Sequence, residues 1–361
     1  MLTPKKGFLY LLTFCFMNCI VGQNARAAVV LEYHHISNSA PKSTRISPEK
    51  FDQQMDYLAS QNFHVVPLIE LAEKLRKGES LPDKTVAITF DDSYASVYES
   101  AYPLLKKRGW PFTFFVNTDA VSTSSLFVTW DQLREMSKNG VTIANHTQYH
   151  NHMPRLNKGE TRDQWRERTR IEIETAQQKI EKEIGSVEKI FAYPFGEYDV
   201  EVQHILKKLD YIAFGQQSGP LGSQTDPQSV PRFPFGGMFT EFDDFVMKIN
   251  TLPMPISRLE FYADKQHVMD NLIVKQGDNP YLVLTVSDKN LLTKIHCFAT
   301  GQGAIYGEII NDQLWVRAKQ PLIQGRTRYN CTAPSTEKKR FYWYTQQWLA
   351  TDEKGAWTYD D

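Results

Sequence analysis

Cysteine is scarce in this chain, four in 361 residues, and two of the four, Cys15 and Cys19, lie in an apolar stretch near the N-terminus. Neither sign of charge is in excess: 41 Lys and Arg stand against 42 Asp and Glu, a formal net of -1. That excludes the basic footprint of a nucleic-acid binder. Long apolar runs are missing after the first, Gly7 to Gly22, so no later segment is long enough to span a bilayer. Internal repeats and low-complexity tracts are missing as well. What remains is ordinary for a globular chain, 41% hydrophobic and 23% charged, with material for about two domains.

The apolar run follows Lys5 and Lys6 and precedes Ala25-Arg26-Ala27, a small-x-small cleavage pattern. This layout predicts a signal peptide over residues 1–27 and an exported product, periplasmic or extracellular. Phe-Met-Asn-Cys around Cys19 is a poor lipid-attachment site, so a lipid-anchored product is not expected, and the mature chain is expected to have no transmembrane span. The mature chain then keeps Cys297 and Cys331, which in an oxidising compartment read as one disulfide rather than a zinc site. In the chain-entropy account such a loop closure is worth roughly 4 kcal/mol.

From Val29 onward, β-favouring segments alternate with amphipathic helical ones. Val29 to Tyr33, Val86 to Phe90, Thr113 to Val116, Val141 to Ala144, Ile190 to Tyr193 and Tyr211 to Phe214 read as strands. Helices between them start at Ser47-Pro48 and at Thr129, and stop at Gly78 and Gly140. This rhythm predicts a parallel sheet with helical crossovers, and seven or eight units favour a (β/α) barrel. It changes near Thr251 to Pro255. Residues 28–256 are therefore expected to form the barrel, and 257–361 a small all-β sandwich stapled by Cys297–Cys331. Four tryptophans in the latter, Trp315, Trp343, Trp348 and Trp357, serve either sugar binding or packing. The charged stretch from Lys158 to Trp165 either rims a groove or forms a solvated loop.

Val86-Ala87-Ile88-Thr89-Phe90 runs straight into Asp91-Asp92. A buried strand ending in two acids places both at the edge where α/β folds build their sites; the bland alternative is that Asp92 or Ser93 caps the next helix. His146 and His150 follow another strand end. An i, i+4 pair on one helical turn aims two imidazoles at one ion. With Asp92 as third ligand, two nitrogens and one oxygen suit catalytic zinc, whose bound water becomes a nucleophile near neutral pH. Asp91 is then free to act as general base.

These residues carry a resemblance. Thr89-Phe90-Asp91-Asp92 and His146-Thr147-Gln148-Tyr149-His150 resemble the first two motifs of the polysaccharide deacetylases, the NodB-homology group or carbohydrate esterase family 4. The resemblance implies an α/β fold, a distorted (β/α) barrel, that removes acetyl from N-acetylated sugar polymers. It implies Asp91 as base and Asp92, His146 and His150 as ligands of a divalent metal, most often Zn2+. Ala192-Tyr193-Pro194-Phe195-Gly196 is similar to the third motif, with Phe195 lining the groove and a backbone N–H nearby serving the oxyanion. Leu31-Glu32-Tyr33-His34, Trp130-Asp131 and Val230-Pro231-Arg232 resemble the branch acting on exported poly-N-acetylglucosamine. Tyr193, Pro194, Phe195, Trp130 and Arg232 are the implied substrate contacts, and Tyr149 is a further aromatic for the wall.

The chain also departs from the pattern. Ala192 replaces an arginine that often orients the base, and no late Leu-x-His motif supplies the general acid before residue 257. His34, ending the first strand, is the substitute acid. Arg232 either supports Asp91 or pairs with a surface acid. His35, His152 and His204 are expected in solvent. The resulting expectation is a zinc-dependent deacetylase of an N-acetylglucosamine polymer. Chitin oligomers or peptidoglycan are alternative substrates, and a non-catalytic carbohydrate-binding scaffold is an alternative class.

Overall fold

A computed structural model describes residues 27–352 except Lys338. The expected signal segment up to Arg26, and Trp357, lie outside the described residues. Seven parallel strands make the first sheet: β1 (Ala28–Tyr33), β2 (Thr85–Phe90), β3 (Thr113–Val116), β4 (Thr142–Asn145), β5 (Ile190–Ala192), β6 (Ile212–Phe214) and β7 (Phe233–Pro234). They lie in the order β7-β1-β2-β3-β4-β5-β6, with the short strand His64–Val65 also pairing β2. This is a half-barrel in which β6 and β7 do not pair, although the segment before β7 bridges β6 through Phe214 and Val230. Every residue of β1, β2 and β3 is buried, as parallel strands covered on both faces require. Their near-continuous apolar sequences follow from that.

Among the described residues seven α-helices cover the sheet: α1 (Pro48–Ser60), α2 (Leu68–Arg76), α3 (Tyr102–Arg108), α4 (Trp130–Lys138), α5 (Arg162–Ile184), α6 (Val200–Lys208) and α7 (Phe242–Ile249). Ser47 caps α1 by accepting from the Lys50 N–H, with Pro48 in the first turn. Thr129 with Gln132, and Thr161 with Gln164, form capping boxes for α4 and α5. The second box settles the charged stretch before it: α5 already begins at Arg162. Trp165 is fully buried there and donates its indole N–H to the Met153 carbonyl at 2.8 Å.

The chain then builds two packed sheets. One holds Leu252–Pro253, β13 (Phe341–Thr351), β12 (Gly325–Pro334), β10 (His296–Ala299) and Gly303–Ile305 side by side, with Ile273–Lys275 also on β13. The other holds Val268–Met269, β8 (Ile256–Tyr262), β9 (Tyr281–Val286), β11 (Gln313–Val316) and Gly307–Ile310. Pairing is antiparallel except where Leu252–Pro253 and Ile273–Lys275 meet β13. Trp348 is buried between Phe261 and Tyr329, so this tryptophan is core. The disulfide is present, but Cys297 and Cys331 face each other on adjacent strands of one sheet. It therefore ties β10 to β12 and does not join the two layers.

This sandwich packs against the half-barrel. Trp343 packs edge-on against Phe233 of β7, centroids 5.4 Å apart. Arg340 forks onto Asp83 at 2.8 and 3.0 Å and reaches the Asn250 carbonyl. Arg326 donates to the carbonyl of Phe195 and to Gln216.

Candidate active site

The site is assembled at the C-terminal ends of β1, β2, β4 and β5. After β2 the backbone turns sharply, with Asp92 at φ 74° and Ser93 at φ 60°. Neither residue caps a helix; the helical stretch that follows begins at Ala95, and the Ser93 hydroxyl donates to Asn117 instead. Left-handed backbone is costly for residues with a Cβ, and it gathers at functional sites. Thr147, His150 and Phe195 share it, at φ 67°, 59° and 56°. The turn sends the two acids apart. Asp91 points inward and is fully buried, whereas the Asp92 side chain stays 15% exposed.

His146 and His150 do not sit on a helical turn. The Asn145 amide oxygen accepts from the Thr147 N–H at 2.9 Å, and the Thr147 hydroxyl accepts from the His150 N–H at 2.9 Å. Side-chain acceptors close to the backbone thus take the donors a helix would use. The two imidazoles still converge: Nε2 of His146 lies 3.2 Å and Nε2 of His150 3.0 Å from Asp92 Oδ1. His146 Nδ1 is 2.8 Å from the Ala192 carbonyl, which can only accept. That fixes the proton on Nδ1 and turns the Nε2 lone pair toward a carboxylate oxygen.

Two lone pairs facing each other need a proton or a cation between them. The ligand atoms of Asp92, His146 and His150 lie within 4.8 Å of one another, and a two-nitrogen, one-oxygen set suits a divalent transition metal. The residues therefore fit the expected metal. Burial works to raise the Asp92 carboxyl, but the imidazoles of His146 and His150 against it overcome this and hold the group well below its ordinary range. His150 is raised, its burial outweighed by Asp92.

Arg232 resolves one of the open alternatives. It is fully buried and grips Asp91 with both terminal nitrogens, at 2.8 and 2.7 Å. Its Nε donates to the Gly215 carbonyl. Burial pushes the Asp91 carboxyl up, and Arg232 more than offsets this, so the net direction is down. The arginine missing at Ala192 is thus replaced from the loop before β7. Arg232 cannot touch a polymer from there, and the expected substrate contact is withdrawn.

His34 ends beside the cluster, its Nε2 3.9 Å from Asp92 Oδ2 and 3.8 Å from Glu32 Oε1. Phe195 is 36% exposed, edge-on to His150 at 4.5 Å and stacked on His152 at 3.8 Å. His152 is half-buried and 2.7 Å from Glu197, not in free solvent. Tyr149 is exposed.

Three expected contacts are not at the surface of the groove. Tyr193 is fully buried and donates to the Gln228 carbonyl at 2.7 Å, because strand alternation turns it into the cluster with Tyr198 and Phe191. Pro194 is buried beside it. Trp130 lies in the seam between α4 and α5, with the Lys179 ammonium 5.3 Å above its ring; the first turn of a helix packed on its neighbour faces that neighbour.

Two features escaped the sequence reading. Glu32 is fully buried in β1, and neither carboxylate oxygen has a hydrogen-bond partner. Burial raises its pKa despite Arg232 at 3.8 Å. An acid inside an otherwise apolar strand was the available signal. His35, expected in solvent, is buried and stacks on Tyr94 at 3.5 Å, with Phe127 behind at 5.7 Å. Burial and the adjacent His34 push His35 down to about 4.

Residues 78–214 match the polysaccharide deacetylase family. The chain carries a polysaccharide deacetylase domain. All four residues of the Asp91, Asp92, His146 and His150 constellation fall within the matched span. Among curated relatives, a poly-beta-1,6-N-acetyl-D-glucosamine N-deacetylase of Escherichia coli K12 is 23% identical over 313 residues, 76% of this chain. The chain covers 46% of that relative's length, so it spans about half of it. An enzyme of the same name from Staphylococcus aureus is 25% identical over 227 residues, 57% of this chain and 78% of its own length. The deacetylase fold is shared with IcaB from Ammonifex degensii, at TM-score 0.53 and 26% identity over 60% of this chain and 94% of that one. The deacetylase PplD of Streptococcus pyogenes shares the fold at TM-score 0.55 and 23% identity, over 63% of this chain and 99% of that one. Among the described residues no helix is long and apolar enough to cross a membrane.

Proposed function

We propose that this protein is a metal-dependent N-deacetylase of an N-acetylglucosamine polymer, exported after cleavage of residues 1–27, with residues 28–256 as its catalytic domain. The observation that carries this reading is the convergence of His146 and His150 on one oxygen of Asp92, next to an Asp91 clamped by Arg232. Binding alone needs no buried, arginine-clamped carboxylate at that place. A divalent cation, Zn2+ by its donor preference, held by Asp92, His146 and His150 supplies Lewis acidity for the acetamide carbonyl and the attacking water.

Every other part belongs to the chain. Arg232 keeps Asp91 ionised and oriented, and Asp91 takes the proton of the attacking water. The left-handed turn at Phe195 offers backbone N–H to the developing oxyanion, while its ring covers one side of the groove. His34, with Glu32 beside it, delivers a proton to the leaving amine. Acetate and a glucosamine unit leave.

The curated relatives are named for a β-1,6-linked polymer, which makes that linkage the first choice here. The test is acetate release from β-1,6-linked N-acetylglucosamine oligomers, with and without chelator. Chelator-sensitive release is expected. No acetate from these oligomers, from chitin oligomers or from peptidoglycan at saturating zinc would overturn the reading in favour of a binding protein.

A further inference from the structure

Beyond the catalytic centre, a cleft of about 310 Å³ opens between the half-barrel and the sandwich. Its size is at the lower end for small-molecule pockets, roughly 300–1,000 Å³. Arg328, Asn330, Phe298 and Trp343 line it from the sandwich, and Phe239 and Lys248 from the other side. The lining follows from strand alternation. On β12, Thr327, Tyr329 and Cys331 point into the sandwich core, while Arg326, Arg328 and Asn330 face outward to the half-barrel. Phe298 stands opposite Asn330 on β10 and is 44% exposed.

The chemistry there is that of a sugar site. An exposed aromatic ring offers a platform for the apolar face of a pyranose. Asn330 and the guanidinium of Arg328 offer planar hydrogen-bonding groups to its substituents. The Arg328 Nε is buried without a partner, and a buried polar atom of that kind calls for a ligand or water. Lys248, by contrast, is satisfied by Asp244 at 3.0 Å. Two cations against one anion leave the cleft positive.

From the cleft, the same face of β12 leads toward the site already described. Arg326, two residues from Arg328 on the same face of β12, donates to the Phe195 carbonyl.

We propose that this cleft is a second sugar subsite, which takes an N-acetylated hexosamine further along the same polymer chain while another unit, beyond the reach of a dimer, lies over Asp92, His146 and His150. This rests on the deacetylase reading. The acetamide oxygen accepts from Arg328 and the ring stacks on Phe298. A deacetylated unit brings an ammonium into a positive cleft and is disfavoured. The sandwich thereby selects stretches of polymer that are still acetylated, and the enzyme works best on chains longer than its catalytic groove.

The experiment measures calorimetric binding and steady-state kinetics with β-1,6-linked N-acetylglucosamine dimers and hexamers, and with the fully deacetylated hexamer. Binding is measured in the Asp91→Asn background to avoid turnover. The acetylated hexamer is expected to bind about tenfold tighter than the dimer and than the deacetylated hexamer. Phe298→Ala, at an exposed position that leaves the fold intact, and Arg328→Gln should each remove that advantage. In the active protein both should raise KM for the hexamer and leave dimer kinetics unchanged. Equal affinity for dimer and hexamer, or an unchanged hexamer advantage in Phe298→Ala, overturns the subsite. Acetate release from the dimer by the wild-type protein tests the deacetylase reading separately, so failure of one is not failure of the other.

Discussion

Arg232 holds Asp91 through both arms of its guanidinium, at 2.8 and 2.7 Å, across 141 residues of sequence. Both side chains are fully buried, so each is the other's main compensation for lost water. Removing one partner of a buried pair leaves an uncompensated charge and costs about 3–5 kcal/mol. Arg232→Met should therefore lower the melting temperature and abolish turnover. Arg232→Lys keeps the charge without the fork and should recover stability in part but little activity. Wild-type kcat in either variant would show that the clamp does nothing for the base.

The division of labour between the adjacent acids is separable by metal content. Asp91→Asn should retain metal after dialysis and lose acetate release, whereas His146→Ala should lose both. Atomic emission on the dialysed proteins reads the first quantity, and an acetate assay the second. A metal-free Asp91→Asn protein would contradict the assigned roles.

Glu32 carries a buried carboxylate with no hydrogen bond, a cost of roughly 1–3 kcal/mol for a polar group so placed. Glu32→Gln removes the charge at nearly constant volume. Stability should rise by about 1 kcal/mol, while kcat falls more than KM changes, since His34 loses its neighbour. Denaturant midpoints and kinetics measured together check this; unchanged kcat would leave Glu32 without a role.

Asp199 caps α6 by accepting from the Val202 N–H at 2.8 Å, and burial pushes its carboxyl up from 3.8 to about 6. A group with a raised folded pKa stabilises fully below the unfolded value and loses that contribution as pH rises through the folded one. Wild-type stability should thus fall between pH 4 and 6 by up to about 3 kcal/mol from this group. Asp199→Asn keeps the cap acceptor and should flatten that window. Urea midpoints across it decide the matter, and an unaltered slope in the variant would refute the assignment.

Cys297 and Cys331 are 34 residues apart and directly opposed on β10 and β12. Loop closure of that length is worth about 4 kcal/mol in the chain-entropy account. Replacing both by alanine should lower the stability of the sandwich by up to that amount, seen as an earlier loss of near-ultraviolet aromatic signal from Trp348. No change on reduction would mean that the strand pairing alone holds these segments.

Most of the catalytic constellation was legible because its members are local in sequence. Asp91 and Asp92 end one apolar strand, and His146 and His150 follow another, so hydrophobic patterning alone puts both pairs on one edge. The failures share a cause. Tyr193, Pro194 and Trp130 were placed by motif, yet the direction of a side chain depends on what packs beside its element. The same holds for His35, which looks polar and exposed in sequence and is buried by Tyr94. Helical spacing for His146 and His150 failed because Asn145 and Thr147 side chains capture the backbone donors.

The amino-acid sequence by itself determined the alternation of strands and helices, the change to β-structure near residue 251, the pairing of Cys297 with Cys331 and which four residues, Asp91, Asp92, His146 and His150, come together at the candidate site. These follow from periodicity, turn chemistry and short-range order. Only the tertiary structure decided that Arg232 serves Asp91, that Glu32 lies buried without a hydrogen bond beside His34, and that Arg326 reaches Phe195 from the sandwich. Those contacts join residues far apart in the chain, and a buried charge reveals its partner only when packing has removed the water between them.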